Sequence, residues 1–185
     1  SSLQDDVAHS FSQMGFKVVH TEPITLDDVY ASILTIGKET GAYTKAKAVE
    51  DTLRQQLTAV GFRTMYQRKP RVYIEEWHDP PTVSGNWVTE LILLAGGMSL
   101  ATKGERSYPI DEQTVARFDP DLVVLSWCGF GDKDTVGEFL QRWKNLRAVK
   151  QKRVHSLNDS LLNRPGPRLA EGARVLEQLI ASVRQ

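Results

Sequence analysis

The chain has 185 residues, 41% of them apolar and 25% charged, with lysine and arginine balancing aspartate and glutamate at 23 each. These are ordinary proportions for a globular chain with a packed core, and the zero balance gives no electrostatic case for a nucleic acid or an anionic membrane as partner. Leu91 to Ala95 falls far short of the ~18 apolar residues of a membrane helix, and the lone Cys128 excludes an internal disulfide while fitting either redox compartment.

Ser1-Ser2-Leu3-Gln4-Asp5-Asp6 opens directly on polar, helix-like sequence, with no signal peptide visible. Leu3, Val7, Phe11 and Met14 are spaced for a helix that Gly15 ends. Phe16 to His20 reads as a short strand and Thr21-Glu22-Pro23 as a turn. Thr25 then caps a second helix with Leu26, Val29, Tyr30, Ile33 and Leu34 inward, and Asp27 and Asp28 suit its positive first turn. Helix–strand–helix is the tail of an α/β lobe whose first strands are missing. One short strand cannot bury two helices, so this segment needs a partner.

A long helix is predicted over about Tyr43 to Phe62. Ala46, Val49, Leu53, Leu57 and Val60 form its apolar stripe, and Lys45, Lys47, Glu50, Asp51, Arg54 and Gln55 face water, with Thr44 as N-cap and Gly61 as the end. Such a helix is either a spine joining two lobes or an ordinary surface helix of one domain. Arg71 to Glu76 is the next strand, Trp77 to Gly85 a loop, and Asn86 caps a helix that Gly96-Gly97 stop. Met98 to Pro109 is loop with a short strand; Asp111 to Phe118 is a short helix broken by Asp119-Pro120-Asp121. Leu122 to Trp127, continuously apolar, suits a sheet buried on both faces. Cys128 to Asp132 is the loop after it. A helix from Thr135 to Trp143, a strand from Arg153 to Leu157, a loop from Asn158 to Pro167 and a last helix on Leu169, Ala173, Leu176, Ile180 and Val183 complete the chain. Strands alternating with helices predict a mainly parallel sheet covered on both sides.

In such sheets ligands bind at the carboxyl ends of the strands. Three loops qualify, holding Trp77-His78-Asp79, Trp127-Cys128-Gly129-Phe130 and Asn163-Arg164-Pro165-Gly166-Pro167-Arg168. Two tryptophans at equivalent strand ends suit a flat, partly polar ligand; the alternative is that each merely caps the core. No nucleophile elbow, phosphate loop or dinucleotide glycine motif is present. Nothing in the sequence brings Cys128 to His78 or His155, and the four histidines His9, His20, His78 and His155 are scattered, so a metal site would have to be assembled by the fold. Glu75 and Glu76 are strand neighbours that point to opposite faces and form no acid–base dyad. Catalysis has no support.

Several stretches resemble the C-terminal lobe of periplasmic cobalamin-binding proteins, within the solute-binding superfamily that serves ABC importers of cobalamin, ferric siderophores and haem. They are Arg71 to Pro81, Ser84-Gly85-Asn86-Trp87, Glu90-Leu91 to Ala95-Gly96-Gly97, Pro109 to Gln113, Asp119-Pro120-Asp121, Leu146 to Lys150 and Arg164 to Leu169, in the family's order across essentially the whole chain. The resemblance implies an α/β fold: a Rossmann-like parallel-sheet lobe at residues 70–185, the remnant of a first α/β lobe at 1–42, and one long helix at 43–64 joining them, with ligand in the cleft. Most of the first lobe and any signal sequence would then be absent. It further implies a non-enzymatic binding role, a periplasmic or extracytoplasmic setting (with the cytoplasm as the alternative), and no cofactor beyond cobalamin or another metal chelate carried as ligand. Ligand-binding residues would be Trp77, His78, Asp79, Tyr108, Trp127, Cys128, Phe130 and Arg164, and Glu112 would dock on the membrane permease, or else simply satisfy its helix dipole. The competing readings are a siderophore, haem or metal-ion carrier of the same fold, an α/β enzyme or regulatory domain, and a folded half that binds nothing. Self-association through the unpaired first-lobe segment is a further expectation.

Overall fold

The computed structural model describes residues 5–131, 133 and 135–184. Leu3, at the head of the first predicted stripe, and Asp132, in the loop after the apolar strand, lie outside these residues. Helices α1 (Asp5–Gln13), α2 (Leu26–Glu39) and α3 (Tyr43–Thr64) come first. A sheet region follows: β1 (Arg71–His78), β2 (Pro81–Val83), α4 (Asn86–Leu94), β3 (Met98–Ser99), β4 (Tyr108–Pro109), α5 (Glu112–Phe118), β5 (Leu122–Leu125), α6 (Val136–Arg142), α7 (Arg147–Lys150), β6 (Val154–Ser156) and α8 (Leu169–Ser182).

The sheet runs β4-β2-β1-β5-β6, with β3 also paired to β1. β1, β3, β5 and β6 are parallel, and β2 and β4 add an antiparallel extension. Strand alternation divides the apolar residues between two cores. Val72, Ile74, Leu122 and Val124 pack with α2, α3, α4 and α8. Tyr73, Val83, Val123 and Leu125 pack with Val115, Phe139 and Ala148 from α5, α6 and α7, and with Trp143 just after α6. Burial on both faces is the physical reason β5 has no polar residue.

The α2 N-terminus is held twice. Thr25 and Asp28 make the reciprocal capping box, and the Leu26 N–H donates to Glu90 of α4 at 2.8 Å. Arg106 and Glu22 pair at 2.7 Å across the same junction. α3, about 33 Å long at 1.5 Å per residue, packs between α2 and the α4–α8 layer.

Several expectations are corrected. Phe16 to His20 is not a strand: among the described residues no sheet strand lies beside it, and a strand without a ladder partner leaves its backbone groups unpaired. Gly61 does not end α3, which continues to Thr64, and its N-cap is Ala42 rather than Thr44, with no side-chain capping bond. Glu50 does not face water. It is 3% exposed and holds Lys47 and Arg54 one turn away on each side, at 2.8 Å each. Val49, assigned to the stripe, is 38% exposed, so the buried line is Glu50, Leu53, Leu57, Val60 and Thr64. Trp77 to Gly85 is not all loop: β1 extends through His78 and turns into β2 across a bulge. Asn86 is the first residue of α4, at φ +50°, and Gly85 is the N-cap. α7 was not anticipated; four residues are too few for a readable period. In α1 no described residue is buried, and Phe11, Met14 and Phe16 are 49–71% exposed.

Leu57, 1% exposed on the inner face of α3, sets the fold's first test. Leu57→Ala is expected to lower unfolding free energy by about 2–5 kcal/mol, and Val49→Ala by less than about 0.5 kcal/mol, measured by urea denaturation.

Candidate functional site

β1 and β5 pair in register from Val72 opposite Leu122 to Glu75 opposite Leu125, and β6 continues the parallel set from Val123 opposite Val154. The segments that follow these three strands therefore emerge at one edge, the carboxyl edge where open α/β sheets bind ligands.

Four rings meet there. His78 lies 4.7 Å from Trp127 at an interplanar angle of 31°, and 4.9 Å from Trp77. Phe130 stands edge-on to Trp77, His78 and Trp127 at 6.1, 5.6 and 5.4 Å, within the range of favourable aromatic pairs. The rings differ in exposure. Trp77 is 39% exposed and Trp127 only 2%; Trp77, His78 and Phe130 form the outward surface and Trp127 supports it from beneath.

The support reaches a buried charge. Glu75 has no exposure and accepts hydrogen bonds from the Trp127 Nε1–H at 3.1 Å, the Tyr73 hydroxyl at 2.9 Å and the Arg142 guanidinium at 2.5 Å. Arg142 also donates to the His78 carbonyl at 2.5 Å. Burial pushes the Glu75 carboxyl above its ordinary range, and Arg142, with the hydrogen bonds of Tyr73 and Trp127, opposes that shift. The same burial and the neighbouring carboxylate drive the Tyr73 hydroxyl far upward, so it stays a donor.

Glu76 points to the other face. The Ser107 hydroxyl donates to it at 2.6 Å, and the Cys128 thiol lies 3.8 Å away. Asn163 donates to the Ser126 carbonyl at 2.6 Å and to Cys128 Sγ at 3.4 Å. Cys128 is exposed as a residue, yet its thiol is turned back among these groups. Burial and then Glu76 push the thiol up to about 11, so it is protonated at neutral pH and is no activated nucleophile. Asp159, 5% exposed, accepts from the N–H groups of Gly129 and Gly131 at 3.2 and 3.3 Å. Both glycines have positive φ, +83° and +59°, which lets the loop turn two amides onto one carboxylate. Arg164 pairs with Asp159 at 3.5 Å.

The fold thus gathers Trp77, His78, Trp127 and Phe130, sets Cys128 beside them with Glu76, and leaves Arg164 exposed at the edge. Asp79 is exposed just past β1, and its carbonyl accepts the Trp77 Nε1–H at 2.9 Å. Tyr108, in β4, packs partly buried on the α5–α6 core. Glu112 is exposed in the first turn of α5, beside a groove of about 340 Å³ that Trp143 and Lys144 also line. Among the described residues no group of three or more His, Cys, Asp or Glu is placed to hold a metal ion. Sequence reasoning missed Tyr73, Arg142, Ser107 and Asp159. Only Asp159 had a signal, an acidic residue just past a parallel strand.

Arg142→Met is expected to cost about 3–5 kcal/mol at neutral pH, because it strands the Glu75 carboxylate in the core. A native pKa raised above the unfolded value means the folded state holds the proton more tightly. Stability therefore falls as pH rises from the ordinary carboxylate range to the native value. Loss of Arg142 enlarges that shift, so the gap between variant and wild type should narrow on acidification, as urea denaturation across pH measures.

Comparison with known proteins agrees with this architecture. An ABC transporter substrate-binding lipoprotein of Bacillus subtilis, YvrC, is 26% identical over 162 residues, covering 84% of this chain and 51% of the relative. A vitamin B12-binding protein of Vibrio cholerae is 26% identical over 162 residues, 84% of this chain and 56% of the relative. The chain thus spans about half the length of the curated relatives it matches. The crystal structure of S. aureus IsdE complexed with heme superposes with a TM-score of 0.79 at 18% identity, covering 97% of this chain and 74% of that one, which is a likeness of fold. Residues 4–161 match the sequence pattern of the periplasmic binding proteins, and the chain belongs to that family.

Proposed function

We propose that this chain is the ligand-holding half of an ABC importer's solute-binding protein, and that a flat metal chelate, a corrinoid foremost, seats on the rings of Trp77, His78 and Phe130. The observation that carries the proposal is the ring cluster at the carboxyl edge of the sheet, backed by a buried tryptophan whose indole is tied to Glu75. A rigid aromatic surface suits a planar macrocycle because stacking requires no new ordering of the protein. The relatives named vitamin B12-binding proteins support the corrinoid over other chelates. Asp79, Cys128, Arg164 and Tyr108 complete the rim in this proposal. Residues 1–42 belong to a first lobe, residues 43–64 form the bridge, and residues 70–185 form the second lobe. The exposed apolar side chains of α1 are the surface that other first-lobe elements would cover. The setting is extracytoplasmic, as in the family, and the partner is a membrane permease that meets Glu112.

Calorimetric titration with cyanocobalamin, haem and a ferric siderophore in parallel tests this. Saturable binding of cyanocobalamin alone is the expected result, and binding of haem or siderophore alone would replace the corrinoid. Trp77→Ala and Phe130→Ala should each weaken binding about tenfold or more, consistent with about 1–3 kcal/mol per lost stacking face, with the urea midpoint nearly unchanged. Glu112→Ala should leave the titration unaltered and lower permease-dependent uptake in proteoliposomes at least about tenfold; unaltered uptake would remove Glu112 from the docking surface.

A further inference from the structure

The carboxylates at the binding edge are not equivalent. Glu75 is answered by Arg142 and Asp159 by Arg164, while Asp79 lies exposed past β1, where water screens it. Among the described residues no lysine, arginine or histidine forms an ion pair with Glu76. Its partners are the Ser107 hydroxyl at 2.6 Å and the Cys128 thiol at 3.8 Å, both neutral. Ser107 is itself fixed, since its oxygen accepts the Gly85 N–H at 3.0 Å. Glu76 is half-buried, and Cys128 beside it is exposed. A negative charge is therefore held in place at the carboxyl end of β1, against Cys128, the residue that follows Trp127. Of the nearby cations, Arg142 is paired with Glu75 and Arg164 with Asp159, and Lys133 lies over the Phe130 ring at 5.6 Å.

We infer that Glu76 is the specificity-determining residue of this edge: its uncompensated carboxylate selects chelates whose periphery carries neutral hydrogen-bond donors, primary amides above all, and turns away chelates bearing ionised carboxylates. The inference rests on the importer reading and adds a rule for choosing among its ligands. An amide N–H can donate to Glu76 in place of water, whereas a second carboxylate meets like charge in a partly desolvated site, where repulsion is several times stronger than in bulk water. Discrimination then comes from a repulsive element as well as an attractive one.

The test uses two corrinoids that share a macrocycle, cobinamide with amide side chains and cobyrinic acid with carboxylates. Both are titrated into the protein at the full length its gene encodes, as wild type and as Glu76→Gln. The wild type is expected to prefer cobinamide by about a hundredfold. Glu76→Gln, which keeps shape and removes charge, is expected to narrow that preference about tenfold, chiefly by gaining affinity for the acid. Raising ionic strength should narrow the preference in the wild type more than in the variant. An unchanged amide-to-acid ratio in Glu76→Gln, with cobinamide still bound, would overturn the inference and leave the importer reading standing. Failure of both corrinoids to bind either protein would overturn the corrinoid reading and this inference with it.

Discussion

Glu75 lies in the sheet with no solvent contact, and an ionised carboxylate survives there only if donors replace the water it gave up. Arg142, Trp127 and Tyr73 are those donors, drawn from α6, the segment after β5, and β1 itself. The bonds do more than satisfy a charge. They hold the Trp127 indole beneath His78, and the second arm of Arg142 holds the His78 carbonyl. The ring cluster inherits its positions from that buried polar unit, so the edge proposed to hold a chelate is positioned by the protein's own bonds. Such preorganisation is what lets a shallow aromatic surface bind without ordering flexible side chains.

Glu75 and Glu76 illustrate how one strand assigns opposite roles to identical neighbours. The pleat sends one into the α5–α6 side and the other toward Ser107 and Cys128. The first is neutralised by a salt bridge and becomes structural. The second keeps neutral partners and contributes charge to the edge. Asp159 resembles the first, since it binds two backbone amides and Arg164, and through Gly129 and Gly131 it fixes the loop that carries Phe130.

The N-terminal segment is firmly attached yet incompletely buried. The capping box of α2, the bond from Leu26 to Glu90 and the Arg106–Glu22 pair tie it to the sheet region. Leu26, Val29 and Tyr30 enter the same core as α3 and α8. Val7, Phe11 and Met14, which read as an inner face, are instead exposed, because amphipathic spacing marks a face suited to burial without supplying the surface that buries it.

Much of the architecture was legible in the residue order. The buried line of Leu53, Leu57 and Val60 on α3, the Thr25 cap, the doubly buried β5 and the gathering of three loops at one edge all follow from periodicity and capping chemistry, which act over a turn or a pleat. The opposed directions of Glu75 and Glu76 follow from the same local geometry. What the sequence could not reveal is which groups stand across from one another. Glu50 reads as a solvent-facing charge, and only the packing of α3 buries it between Lys47 and Arg54. Trp127 reads as the equal of Trp77, and only its bond to Glu75 makes it a support. Arg142, 67 positions from Glu75, carries no local mark of its role. Periodicity records which residues share a face; the partner of that face comes from a distant element, and the tertiary fold alone decides it.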